Sequence, residues 1–240
     1  MSVNLVDSEK EREKFSLRSF FFSPAVQKMS SGKKVAFIAV FAAFSVVTNM
    51  LEFRFLDTQF SCTLAFSVLT GIFIGGGSGF VACMVGDLVG YLIQSFGYFY
   101  MPWVGISTGM VALLSGLMYH GLPFRSRGGV YAKLALICLA TFLVCTIGIN
   151  STGFYFYNKH AFSKTVIEYA ESRFGGNVTF FVYLCYRLIF KGQIWNSVAN
   201  YALVFILVSV LRPVNFFRPF LDERVTKGEP SSSPVSPKTE

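Results

Sequence analysis

From residue 35 onward the chain is a series of long apolar blocks separated by short clusters of glycine, proline and charge. A hydrocarbon core about 30 Å thick takes about 20 helical residues, with tilt or local thinning absorbing the difference. On that measure the blocks predict six spans, at roughly 35–53, 61–76, 78–96, 103–122, 130–157 and 178–211. The second is short, and only Gly75, Gly76, Gly77, Ser78 and Gly79 separate it from the third, a run that reads as a tight turn at the membrane surface. The pattern predicts an all-α membrane protein with one six-helix domain over 35–221 and no soluble catalytic module. Residues 1–34 are mixed in charge, and their one apolar patch, Phe20 to Phe22, is too short for a secretory signal. They read as a partly disordered cytoplasmic segment. The tail 222–240, rich in serine and proline, reads as disordered.

Composition agrees with the spans. The chain is 53% hydrophobic and only 14% charged, with 28 phenylalanines, which is too apolar for a soluble domain. A net charge of +8 would suggest nucleic acid in a soluble protein, but here the basic residues edge the apolar blocks, where they set topology. No nucleic-acid partner is expected. With the N-terminus inside, Lys28, Lys33, Lys34, Arg125, Arg127, Lys133, Arg212, Arg218 and Arg224 fall on the cytoplasmic side, against Arg54, Lys159, Lys164 and Arg173 outside. This bias predicts a multi-pass protein of the cell membrane with both termini cytoplasmic. The five cysteines all lie in apolar segments without metal-ligand spacing and read as reduced, buried hydrophobes. Small residues at helical spacing, Gly79, Ala82, Gly86 and Gly90 in the third span and Gly105, Gly109, Ala112 and Gly116 in the fourth, predict close helix packing.

No phosphate-binding loop, HExxH or GxSxG occurs, and His120 and His160 fall on opposite sides of the membrane, so the sequence predicts neither an enzyme nor a metal or cofactor site. What remains is a binding constellation. Arg187 lies inside the last apolar block, where a guanidinium costs roughly 2.5–3.5 kcal/mol unless an anion, water or a protein partner meets it. Lys191 follows one turn later, and the pair forms a positive strip suited to a carboxylate, unless Arg187 instead pairs with Asp87 or Lys191 snorkels. Gln193, Asn196 and Asn200 occupy another face and read as hydrogen-bonding glue between helices, with Gly192 a possible bend. In the fifth span, Asn150 and Thr146 share a face, open either to a polar pocket or to neighbouring helices. The segment Tyr98-Phe99-Tyr100-Met101-Pro102-Trp103 packs aromatics at the outer surface, as interface anchors or as a stacking platform. A buried cation beside flat rings predicts a small planar anion as ligand.

Five segments, AVFAAF at 39–44, GDLVGYL at 86–92, GYFYMPWVGISTG at 97–109, INSTGFYFYN at 149–158 and YRLIFKGQIWNSVANY at 186–201, follow one another in an order that resembles the substrate-binding S component of energy-coupling factor (ECF) vitamin transporters. Among these the chain is most similar to the folate type. Pro102, Gly105 and Ser107 occupy a related aromatic-Pro-Gly-Phe-Thr pattern with Trp103 and Val104 intervening, and Arg187 and Lys191 stand one residue further apart than in the folate-type last helix.

The resemblance implies an ECF S-component-like bundle that captures a vitamin outside the cell. It also implies a transmembrane coupling subunit and two cytoplasmic ATPases as partners, with Ala36, Ala39 and Ala43 of the first span on the docking surface. The expected site comprises Arg187, Lys191, Tyr98, Tyr100, Trp103, Ser107 and Asn150, with folate or a related planar anionic vitamin as ligand. Two alternatives stay open: the same fold carrying another heterocyclic vitamin or a nucleobase precursor, and a small integral membrane enzyme built on Asp87 and Arg187. The connection 159–177 reads as a lid or a solvated loop.

Overall fold

The computed structural model describes residues 17–55, 58–93, 99–122 and 127–221. Tyr98, Arg125, the first 16 residues and the tail 222–240 lie outside them. Two short helices, α1 (Leu17–Phe21) and α2 (Pro24–Gln27), precede the long α3 (Ser31–Met50). A small antiparallel hairpin follows, β1 (Glu52–Phe55) with β2 (Thr58–Ser61), its backbones in register from Glu52 opposite Ser61 to Phe55 opposite Thr58. Then come α4 (Thr63–Ile74), α5 (Gly76–Ile93) and α6 (Pro102–Gly121). The composite α7 runs through Arg127–Thr141, a π-helical stretch Phe142–Ser151, and Thr152–Asn158. After the short α8 (Lys164–Phe174) come α9 (Phe180–Phe190), α10 (Gln193–Leu211) and α11 (Arg218–Leu221).

Five of these helices, α3, α5, α6, α7 and α10, are long and apolar enough to cross a bilayer. The protein is an all-α membrane bundle, apart from the hairpin. Two expected spans differ in detail. The second is only 12 residues long, and nearly every position of it is buried. α4 therefore sits among other helices rather than against lipid, and its length need not match the hydrocarbon. The expected span 178–211 is two helices, because Gly192 takes a left-handed conformation (φ 68°) and ends α9. The residue suspected of allowing a bend makes a full break.

The helices pack where the sequence has least side chain. A Cβ on Gly71 would run into the carbonyl of Ala112, and one on Gly116 would lie 2.5–2.7 Å from the backbone of Gly76 and Gly71. α4, α5 and α6 thus touch backbone to backbone, which dispersion in lipid favours. The stripe on α5 divides: Gly86 and Gly90 receive Ser45 and Asn49 of α3, while Gly79 faces Gly71 and Ala112.

Polar groups supply the rest of the fixation. Cys62, at the N-cap of α4, offers no side-chain cap, and α10 replaces it: Asn200 Oδ1 accepts from Ala65 N (3.0 Å) and Asn200 Nδ2 donates to Ser61 O (2.6 Å). Asn196 Oδ1 accepts from Ser61 N (3.3 Å). The expected glue is therefore a clamp on one helix end.

At the opposite end, the turn at Gly75 (φ 112°) takes the N-terminal segment. Ser23 N donates to Ile74 O (3.0 Å), Ser23 Oγ to Phe73 O (2.7 Å), and Ser78 Oγ to Phe21 O (2.6 Å). Val26 is fully buried, so residues 17–27 belong to the folded bundle. Phe37 stacks on Phe220 there, Phe73 meets Phe220 edge-on and Phe217 at a tilt, and Tyr119 Oη donates to Leu221 O (2.8 Å). Lys133, expected as a topogenic surface charge, is 2% exposed, with Nζ donating to Tyr119 O (2.8 Å) and lying 5.3 Å from the Tyr119 ring centre.

Gly71→Val should lower the thermal midpoint of the detergent-purified protein markedly, since overpacking a tight contact costs about 1–3 kcal/mol or more. Gly32→Val, at a position with nothing within 4 Å, should not. Superimposable melting curves for the two variants would refute the backbone contact.

Candidate functional site

The π-helical stretch of α7 ends at Ser151, and the next turn presents Gly153, Phe154 and Tyr157 on the same side as Asn150. Wide-turn segments of this kind concentrate at functional sites. Pro102, at the first turn of α6, starts that helix without needing an N–H partner, and Trp103 follows it. The indole lies across Gly153, where a Cβ would come 2.5 Å from two ring carbons. Its ring centre is 5.8 Å from Phe154, edge to face, and 5.4 Å from Tyr157. Only glycine at 153 admits this approach.

α9 brings Arg187 to the same turn, within its own π-helical segment Tyr186–Phe190. Nη1 donates to the backbone carbonyl of Asn150 (3.1 Å), and the guanidinium carbon lies 4.3 Å from the Phe154 ring centre. Among the described residues it has no carboxylate partner. The alternative of a pair with Asp87 is not what forms: Asp87, on α5, meets the Tyr100 hydroxyl beside Gly105. Burial first, and then the Asp87 charge, push the Tyr100 phenol up to about 12, so it remains a donor to that carboxylate.

Three buried side-chain atoms among the described residues lack a hydrogen-bond partner, and two of them, Trp103 Nε1 and Asn150 Oδ1, belong to this cluster. An unmet buried polar atom costs about 1–3 kcal/mol, so the open donor and the open acceptor of this cluster are groups that a bound molecule or water would satisfy.

α8 covers the outer flank of α9. Val166 packs on Tyr183 and Tyr186, Thr165 Oγ1 and Tyr186 Oη share a hydrogen bond (3.1 Å), and Asn158 Nδ2 donates to Tyr183 Oη (3.2 Å). Tyr155 packs edge-on against Phe180 and at a tilt against Phe162 and Tyr183. The 159–177 connection is therefore a packed helix over the wall that carries Arg187.

The expected site residues are thus partly brought together. Arg187, Asn150 and Trp103 converge. Ser107 is buried and donates its proton to Cys145 O (3.1 Å), tying α6 to α7, which leaves only its acceptor lone pairs open. Tyr100 belongs to the Asp87 group, and Tyr98 lies outside the described residues. Lys191 does not extend a strip from Arg187: the helix stops before it, and its exposed ammonium lies 6.0 Å from the Tyr186 ring centre, whereas Arg187 faces Phe154. Sequence reasoning passed over Gly153 and Phe154. Their signal was spacing, three and four residues after Asn150 on one helical face.

The family model described as "ECF transporter, substrate-specific component" matches residues 33–215, most of the chain. No curated protein matches it.

With the exposed Trp195 replaced by phenylalanine, Trp103 is the one remaining indole. Gly153→Val in that background should move its emission to longer wavelength as the ring is pushed from its seat. Unchanged emission would place the indole elsewhere.

Proposed function

The chain belongs to the ECF transporter substrate-specific components, and we propose that it captures folate, or a closely related planar anionic vitamin, from outside the cell. The observation that carries this reading is the Arg187 guanidinium, held among aromatic rings with one backbone carbonyl and, among the described residues, no carboxylate for company. A ligand carboxylate completes it, bidentately where geometry allows. Trp103 supplies a flat face for the ring system, Asn150 and the Ser107 lone pairs supply polar contacts, and α8 packs over the helix that carries Arg187. Lys191, on the exposed flank, draws the anion toward the mouth by its field rather than by contact.

Purified protein should bind folate saturably, and Arg187→Ala should weaken binding by about tenfold or more, as expected for loss of a charge-assisted contact. Binding in that variant equal to wild type would remove Arg187 from the site.

Members of this family are transporter subunits, working with a coupling subunit and ATPases. For this chain the docking face is α3. Ala36, Ala39 and Ala43 are exposed along it, together with Val40, Phe44 and Val47, so a small-residue strip lies open to a partner helix. Both termini face the cytoplasm, where the ATPases act. Ala39→Trp should abolish uptake in cells supplied with the coupling subunit and ATPases while leaving binding to the purified protein unchanged. Normal uptake in that variant would move the docking face elsewhere.

A further inference from the structure

The open atoms beside Arg187 say more about the ligand than its charge. A carboxylate offers acceptors only. It satisfies the guanidinium and can take the Trp103 N–H, but it brings no donor to Asn150 Oδ1. The fold's own nearby hydroxyls do not fill the gap: Ser151 Oγ donates to Thr146 O (2.8 Å) and Ser107 Oγ to Cys145 O (3.1 Å). Asn158 Nδ2 is engaged by Phe154 O (2.7 Å) and Tyr183 Oη (3.2 Å). A water bridging the two open atoms would impose the same demand, because a ligand that displaces it must reproduce its donor and its acceptor.

Distance narrows the chemistry further. The guanidinium bonds to the main chain of Asn150, the same residue whose side chain carries the open acceptor. The ligand's N–H and its anion must therefore be only a few bonds apart. Trp103 reaches the group from across Gly153 and Phe154, so an acceptor is wanted on the other side of that N–H.

Building on the reading of this cluster as the substrate site, we infer that it holds an N-acyl amino acid unit, an amide one carbon away from a carboxylate. The carboxylate meets Arg187, the amide N–H donates to Asn150 Oδ1, and the amide carbonyl accepts from Trp103 Nε1. Folate contains such a unit in its acylglutamate end, and the inference puts that end, not the heterocycle, at Arg187.

Two probes differing by one group test it on the full-length protein in detergent: N-benzoylglutamate, and the ester made from benzoate and 2-hydroxyglutarate, which keeps the carbonyl and both carboxylates but has no N–H. Calorimetry should show the amide bound about tenfold or more tightly than the ester, the usual scale for leaving a buried acceptor unpaired. Asn150→Leu should bring the two affinities together. Equal affinity in the wild-type protein overturns the inference without recourse to any variant, as does a preference that survives Asn150→Leu.

Folate measured alongside separates the two claims. Amide preference without folate binding rejects folate as the ligand and supports the N-acyl amino acid site. Folate binding without amide preference rejects the inference alone, and no binding of any of the three rejects both.

Discussion

A guanidinium among lipid-depth aromatic rings must be met on every side by something, and the local architecture follows from how that is done. Phe154 covers one face of Arg187, and the Asn150 carbonyl takes one of its five donors. A carbonyl inside a regular α-helix already serves an N–H four residues on. Asn150 lies where π-helical bonding gives way to α-helical bonding, and its carbonyl accepts a side-chain donor there. The remaining donors have no protein acceptor among the described residues, which is tolerable at this depth only if the site is visited by an anion or by water.

The molecule divides into a part that is hard to move and a part that is not. α4, α5 and α6 touch through glycine backbones, and α10 is bound to the start of α4 by the two asparagines. α9 has no backbone clamp of that kind. Apart from side-chain hydrogen bonds at Arg187, Tyr183 and Tyr186, its contacts are ring against ring, with Tyr155, Tyr169 and Phe174 among its neighbours, and its link to α10 is the left-handed Gly192. Dispersion contacts between rings tolerate sliding in a way that a backbone clamp does not. The helix that carries Arg187 is thus the one placed to adjust around a ligand, against a frame that holds Asn200 and α4 still.

Much of this was legible in the apolar blocks, because in a bilayer the backbone must satisfy itself and block length then reports helix length. Asn196 and Asn200 were legible for the same reason: amides in an apolar block need partners. The break at Gly192 was not, since glycine sits within membrane helices as readily as at their ends. Residues 17–27 were not legible as part of the bundle because their apolar patch is too short for a span, and Ser23 and backbone carbonyls anchor them to the turn at Gly75. Lys133 misled by its position at a block edge, where charge usually marks the surface. In the site, Arg187, Trp103 and Asn150 stood out as polar or amphipathic groups in apolar surroundings. Phe154 and Gly153 had only their spacing from Asn150 to mark them: one phenylalanine among 28 carries no signal by type, and what Gly153 is needed for shows once the indole is seen above it.

The arrangement also bears on how capture and delivery coexist. α3 leans on α5 through Ser45 and Asn49, leaving Ala36, Ala39 and Ala43 on its open side. None of the residues around Arg187 lies on α3, so a partner docked there and a ligand at Arg187 occupy separate surfaces. On the proposed reading, docking on α3 then need not compete with the load. The helices between the two surfaces, α5 and α6, are also the most tightly packed, so a push on α3 moves them as one body rather than being absorbed in their contacts. On the proposed reading, a movement of α3 therefore carries the Trp103 side of the site with it, and the compliant side, α9, is the one left to yield around the ligand.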